Sequence, residues 1–377
     1  IINLLHINVV IKINKLESTY IGCKLNTNHY LQIINHLKQI LTDLKKSQLK
    51  AYKSKPLIRF IYGRQFNLIY DILTKKNEIN KNKISPFLKF LSNNLIKEEN
   101  INYEYKSKDN IYDDIINNSE YYLNKILKDN DLTLENIYKD TLVTTKSKDV
   151  EYKRIFFHKC IDLEKRLFQI YKFLTGHSPV AQTILLCNKE TTTEEIIAFL
   201  YRAILCEFNS CFIIGGIELL EFDNQSILFE YLKLLYTKDD WYKKMESILI
   251  ILYTNTNSDI YKSLIGLKYT KILDAIPENK LNVLKIDDNS NVQIISSDKS
   301  GVGKSTHIKS GIKKGQKYIH FPFGGVFTRE DIIERLKNLK IPSNSLFHLD
   351  LYDTDQTELM TEFLFSIVIT KLYGRNE

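Results

Sequence analysis

The chain has 377 residues and an ordinary apolar content, 44%, which suits a globular protein of about two or three domains. Lys and Arg outnumber Asp and Glu by only 8 (53 against 45), and the excess is scattered, so nucleic acid is not an expected partner. Five Cys, at positions 23, 160, 187, 206 and 211, lack C-x-x-C spacing and exclude a disulfide framework, and no apolar run approaches the ~20 residues that cross a bilayer. Reduced, buried thiols and a cytoplasmic location are the expectation.

Residues 1–150 read as a mainly helical leading region. The apolar start, IINLLHINVVIKI, has neither a basic leader nor a cleavage site. HYLQIINHLKQILTDLKK and EYYLNKILKDNDL carry apolar residues at helical spacing, which also accounts for His29 and His36 two turns apart. Lys45, Lys46, Lys50, Lys53 and Lys55 form the wet face of the first helix. The polar stretches KKNEINKNKIS and INYEYKSKDN read as loops.

From residue 151 strands alternate with helices. TILLCN (183–188), CFIIGGIELL (211–220) and ILIILYTN (248–255) are strand runs. TTEEIIAFLYRAIL (192–205, N-capped by Thr192) and NQSILFEYLKLLY (224–236) are helices between them. The alternation restarts with NVQIIS (291–296), a strand feeding a glycine loop. The helix STHIKSGI, the strand KYIHFPF (317–323), the helix TREDIIERLKNL (328–339, capped by Thr328), the strand SLFHLDLYD (345–353) and the helix QTELMTEFLFSIVITKLY (356–373) follow. This pattern predicts an α/β protein of tandem αβα modules with parallel sheets: 151–285 without a phosphate loop, and 286–377 as the N-terminal half of a second. An initial Ile1, and an apolar helix close to the last residue, give the expectation of a fragment of a longer chain.

The segment SSDKSGVGKST (296–306) has the chemistry of a phosphate-binding loop. Gly301 and Gly303 tolerate positive φ and let backbone N–H groups approach phosphates, with Val302 between them. Lys304 is expected to face the β- and γ-phosphates, Ser305 to ligand Mg²⁺, and Thr306 to continue into the helix. Asp298 stands where the first glycine of G-x-x-x-x-G-K-[ST] belongs. ATP and Mg²⁺ are the expected ligands.

Hydrolysis needs a carboxylate on a neighbouring strand and usually an acid beside it to activate water. Asp350 in LFHLDLYD is the candidate Mg²⁺ carboxylate, but Leu351 follows where an acid would stand, and Asp353 lies further along. Binding is therefore better supported than turnover. In the first module NKETTTEE follows TILLC with no Gly-Lys-Ser. Glu218 and Thr254–Asn255 lie at strand tips, where Asn255 reads better as a loop cap than as a phosphate sensor. NKET is not the guanine-reading NKxD, because Thr191 stands in place of Asp.

PLIRFIYGRQF (56–66), TILLCNKETTTEEIIAFLYRAILC (183–206), SSDKSGVGKS (296–305) and FHLDLYDTDQTELMTEFLFSIVI (347–369) together resemble the mysterin family of giant RING-finger AAA+ ubiquitin ligases, over roughly residues 50–377. The resemblance implies a dynein-like row of AAA modules in one chain, only some of them competent to hydrolyse ATP. It implies neighbouring AAA modules as intramolecular partners, and ubiquitination machinery as a partner of a distant C-terminal part. Two alternatives stay open: a scaffold that bound ATP merely stiffens, and an unrelated P-loop NTPase of the STAND or kinase type.

Overall fold

The structure, a computed structural model, describes residues 27–63, 65–66, 69, 90–91, 111–144, 154–237, 245–266, 271–272, 292–296, 302–339 and 344–370. Cys23, Asp298, Gly301, the loops expected at 75–85 and 101–110, and the apolar start fall outside these residues. The chain divides into two compact units, Ile1–Leu284 and Lys285–Arg375.

The first unit begins with α1 (Thr27–Ser54), a 3₁₀ turn at Pro56–Phe60, α2 (Ile111–Asp129) and α3 (Leu134–Tyr138). Lys45, Lys46, Lys50 and Lys53 are exposed, as the helical pattern requires, and Lys55 pairs with Glu120 of α2. The parallel sheet follows: β1 (Ile155–Lys159), α4 (Leu163–Thr175), β2 (Ile184–Leu186), α5 (Thr193–Ile204), β3 (Cys211–Gly215), α6 (Phe222–Thr237), β4 (Ile248–Tyr253), α7 (Asp259–Ile265) and β5 (Lys271–Ile272). Every strand pair is parallel, and the spatial order is β2-β3-β4-β1-β5.

All six residues of β4 and all five of β3 are buried. That is why these strands read as unbroken apolar runs instead of alternating ones. Each large apolar side chain so buried stabilises the fold by about 1.5–3 kcal/mol before entropy is counted. Thr192 accepts from Glu195 N–H and the Glu195 carboxylate returns the bond to Thr192 N–H, a complete capping box that starts α5 where the sequence placed it.

The leading helices pack onto this sheet layer through two buried arginines. Arg59 donates to the carbonyls of Tyr52 (2.8 Å) and Leu205 (2.6 Å). Arg202 on α5 donates to the carbonyls of Gln182 and Arg59, both at 2.8 Å, and lies over the rings of Phe60, Phe90 and Phe199.

Two sequence expectations are corrected here. β1, in RIFFHKC, precedes TILLC and lies inside the sheet between β4 and β5, so TILLC supplies the second strand of the module and not its first. The CFIIGGIELL strand stops at Gly215, because Gly216 turns to φ +70° and a 3₁₀ turn (Ile217–Leu219) takes Glu218 out of the sheet.

The second unit contains α8 (Lys304–Ser310), β6 (Lys317–Phe323), α9 (Arg329–Asn338), β7 (Ser345–Leu351) and α10 (Thr357–Leu364), the last running into a π-helical turn, Phe365–Thr370. β6 and β7 form a two-stranded parallel sheet in register from Lys317–Ser345 to Phe323–Leu351. One face is covered: Phe321, Phe323, Phe327, Ile332 and Phe363 form a buried cluster, with Phe347 and Leu349 packed against it. Thr328 caps α9 through a capping box with Asp331.

The strand expected at 291–296 is not formed at 292–296, which are unpaired and exposed, Ile294 at 79%. The first unit offers a contrast. There the opening strand β1 pairs only with β4 and β5, the two strands that follow β3, and touches neither β2 nor β3. In the second unit the described strands are β6 and β7, which pair with each other, and Val292–Ser296 pairs with neither.

Candidate functional site

Among the described residues the loop is visible from Val302. Val302 is 54% exposed. Gly303 takes φ +82°, ψ +20°, the left-handed region that side chains with a Cβ rarely adopt, and forms the N-cap of α8. Its carbonyl accepts from His307 N–H at 2.9 Å, the first helical bond, so Lys304, Ser305 and Thr306 occupy the first turn with their N–H groups outside the helical ladder. α8 has only seven residues and buries none of them. A helix this short has a small dipole, which by itself holds an anion weakly.

Asp350 lies near the end of β7, on the face of the β6–β7 pair opposite the phenylalanine cluster. Strand alternation places Tyr318, His320, His348, Asp350 and Tyr352 together there. His320 Nε2 donates to Asp350 Oδ2 at 3.1 Å, and Tyr352 Oη donates to the same oxygen at 3.0 Å. Tyr318 Oη and His348 Nδ1 are 2.7 Å apart. The Asp350 carboxyl sits below the usual carboxylate range: burial raises it, and the hydrogen bonds of His320 and Tyr352, with the charge of the two histidines, outweigh that. His348 is held below its ordinary value, chiefly by burial. α8 meets this face through Lys309, whose Nζ lies 5.6 Å from the Tyr318 ring centroid.

By donor type, the oxygens of Asp350 and Ser305 suit a hard cation such as magnesium. Asp350 is anionic, and both of its protein partners bind Oδ2, so Oδ1 has no hydrogen-bond donor among the described residues. Ser305, in the first turn of α8, supplies a hydroxyl oxygen, and oxygen donors suit a hard cation. Leu351, next to Asp350, is 48% exposed and offers no base for water. Asp353 is exposed, and its backbone carbonyl accepts from Gly325 N–H at 2.9 Å. His320 and Tyr352 belong to no motif in the sequence. The signal for them was period-2 alternation in KYIHFPF and FHLDLYD, which places His320, Asp350 and Tyr352 on one face once the two strands are adjacent.

The corresponding place in the first unit is built differently. In an open α/β sheet, ligands bind beyond the carboxyl ends of the strands where the winding reverses, which is at β1. The loop after β1 is Cys160-Ile161-Asp162, not NKETTTEE, and α4 begins at Leu163. This loop has no glycine and no lysine, and Asp162 is spent as N-cap, accepting from Lys165 N–H at 3.0 Å. Leu163 fills the space over Gly215, the last residue of β3, and Gly216 after it: a Cβ at Gly215 would meet Leu163 Cδ1 at 2.8 Å. Glu218 Oε1 accepts from Thr254 N–H at 2.6 Å, Asn255 N–H at 3.3 Å and the Thr254 hydroxyl, which locks the β4 tip to the turn after β3. Asn255 Oδ1 accepts from Asn257 N–H at 2.8 Å, so it caps its own loop. Burial pushes the Cys160 thiol up to about 12, with the Glu218 carboxylate adding to the effect.

Cys160, Cys187, Cys206 and Cys211 are buried. No helix among the described residues is long and apolar enough to cross a membrane. Comparison with known proteins finds no protein-family model that matches this chain and no curated protein that matches it.

Proposed function

We propose that the second unit binds a nucleoside triphosphate, ATP, together with Mg²⁺, as one AAA-type module of a longer mysterin-like AAA+ chain. The observation that carries this reading is the coincidence of GVGKST with its place in the winding. The loop directly precedes α8, the helix before β6, as Cys160–Asp162 directly precedes α4, the helix before β2, and Gly303 holds positive φ directly before Lys304. Lys304 would face the β- and γ-phosphates. Ser305 and Asp350 Oδ1 would hold the cation, whose role is to neutralise charge between the phosphates. The mixed α/β fold with parallel strands is compatible with this assignment.

Membership of the mysterin-like family, neighbouring AAA modules as partners, and any link to ubiquitin transfer rest on the sequence resemblance alone. Ligase chemistry would belong to other parts of the parent chain. A cytoplasmic location is proposed from the buried thiols. One observation favours a second reading, a nucleotide-stabilised scaffold without turnover: Leu351 occupies the position after Asp350 where a water-activating acid would stand. An unrelated P-loop NTPase is the remaining alternative.

The test is the melting temperature of the full chain with and without ATP and Mg²⁺. A rise that disappears in Lys304→Ala supports the reading, and no rise at millimolar ATP rejects it. Steady ADP release that is lost in Lys304→Ala separates a motor from a scaffold.

A further inference from the structure

We propose that His320 is a positioning residue for Asp350: it fixes one carboxylate oxygen and thereby presents the other to the nucleotide-bound divalent cation. This role rests on the nucleotide-binding reading above and deepens it. A carboxylate only accepts, so the 3.1 Å contact requires a proton on His320 Nε2 directed at Oδ2. Tyr352 Oη reaches the same oxygen from the other side at 3.0 Å. With both donors on Oδ2, the carboxylate plane is set, and Oδ1 is left as a single donor atom. Mg²⁺ in nucleotide sites takes one or two carboxylate oxygens in a near-octahedral shell, which matches a one-oxygen presentation.

The His320 ring is itself held. It stacks on Tyr318 at 6.3 Å with an interplanar angle of 11°, and lies 5.0 Å from the His348 ring. His348 is anchored in turn, its Nδ1 2.7 Å from Tyr318 Oη. The order of support therefore runs from Tyr318 and His348 to His320, and from His320 to Asp350. Hydrogen-bond partners of a metal-ligating carboxylate orient it, and their loss typically costs 10–100-fold in metal affinity. A merely structural role, pinning β6 to β7, predicts lost stability with unchanged metal affinity.

The experiment uses the full chain with a non-hydrolysable ATP analogue and Mn²⁺ as the paramagnetic probe. Mn²⁺ affinity is read by electron paramagnetic resonance, and nucleotide affinity is read separately in EDTA. His320→Ala should weaken Mn²⁺ binding by ~10–100-fold and leave metal-free nucleotide affinity within about twofold. His320→Gln, whose amide N–H can reach Oδ2, should recover most of the loss. Asp350→Asn sets the scale for loss of the ligand itself. Unchanged Mn²⁺ affinity in His320→Ala, or no recovery in His320→Gln, overturns the positioning role. Unchanged affinity in Asp350→Asn overturns it as well, because the carboxylate is then not a ligand. A parent chain that binds no nucleotide even in EDTA overturns the underlying nucleotide reading and this role with it.

Discussion

Gly324 and Tyr352 pass so closely that a Cβ on Gly324 would lie 2.6 Å from Tyr352 Cβ and 2.8 Å from its carbonyl oxygen. The approach is fixed by Tyr352 N–H donating to Phe323 O, and by Gly325 N–H donating to Asp353 O, both at 2.9 Å. It seats the Tyr352 backbone at the end of β7, from where its hydroxyl reaches Asp350. The glycine pair of HFPFGG thus serves the candidate cation site from the neighbouring strand.

Gly324→Ala should therefore destabilise the second unit. The obstructing atoms are backbone and Cβ, which cannot rotate away, so the cost is that of overpacking, about 1–3 kcal/mol. Urea unfolding monitored in the second unit checks this, and an unchanged midpoint contradicts the close packing.

ATP with Mg²⁺ at a hundredfold excess over Kd should stabilise the chain by about 2.7 kcal/mol, because ligand binds the folded state only. Lys304→Ala removes the charge facing the phosphates and should abolish the shift. Gly303→Ala should weaken it as well, since φ +82° strains any residue with a Cβ. Calorimetric melts of the three chains, with and without ligand, measure both effects.

Nucleotide contact should be confined to the second unit. Photocrosslinking with an azido-ATP followed by peptide mapping should label the loop at 296–306 and leave 160–163 unlabelled. Leu163 occupies the space above Gly215, and the three-residue loop offers no glycine or lysine. Label on Ile161 or Asp162 that competes with ATP would contradict this.

Arg202→Met should cost the first unit several kcal/mol. The guanidinium serves two buried carbonyls, Gln182 O and Arg59 O, and each one left unsatisfied costs ~1–3 kcal/mol. The thioether fills part of the volume between Phe60, Phe90 and Phe199 but donates nothing. Equilibrium unfolding of the variant gives the number, and a loss below about 1 kcal/mol would show that the carbonyls find other donors.

Stability of the first unit should fall on the alkaline side. Burial raises the Cys206 thiol from 9.0 to about 11 and the Cys160 thiol to about 12, and raises the buried phenols of Tyr52, Tyr138 and Tyr171 as well. These groups are neutral in the fold, and the unfolded chain ionises first. Their contribution is full below pH 9, declines as pH rises through 9 to 11, and is lost above the folded values. Urea midpoints at pH 8 and pH 10.5 should show the decline, and a flat profile would place these groups in contact with solvent.

Residue order alone determined the local features of this protein. The helices capped at Thr192 and Thr328, the buried strands CFIIG and ILIILY, and the GVGKST turn are encoded within a few residues, because capping, apolar runs and glycine torsions act over one or two turns of chain. Tertiary structure decided the rest. β1 is a five-residue run flanked by charge, and it becomes an interior strand only because β4 and β5 flank it from far along the chain. Val292–Ser296 has a comparable apolar pattern and stays unpaired, because a strand needs a pairing partner that local sequence does not supply. Asp350 is legible as an acid near a strand end. Its oxygens are divided between His320, Tyr352 and an open side only when β6 and β7 come into register, because hydrogen bonds between strands depend on pairing that local sequence does not specify.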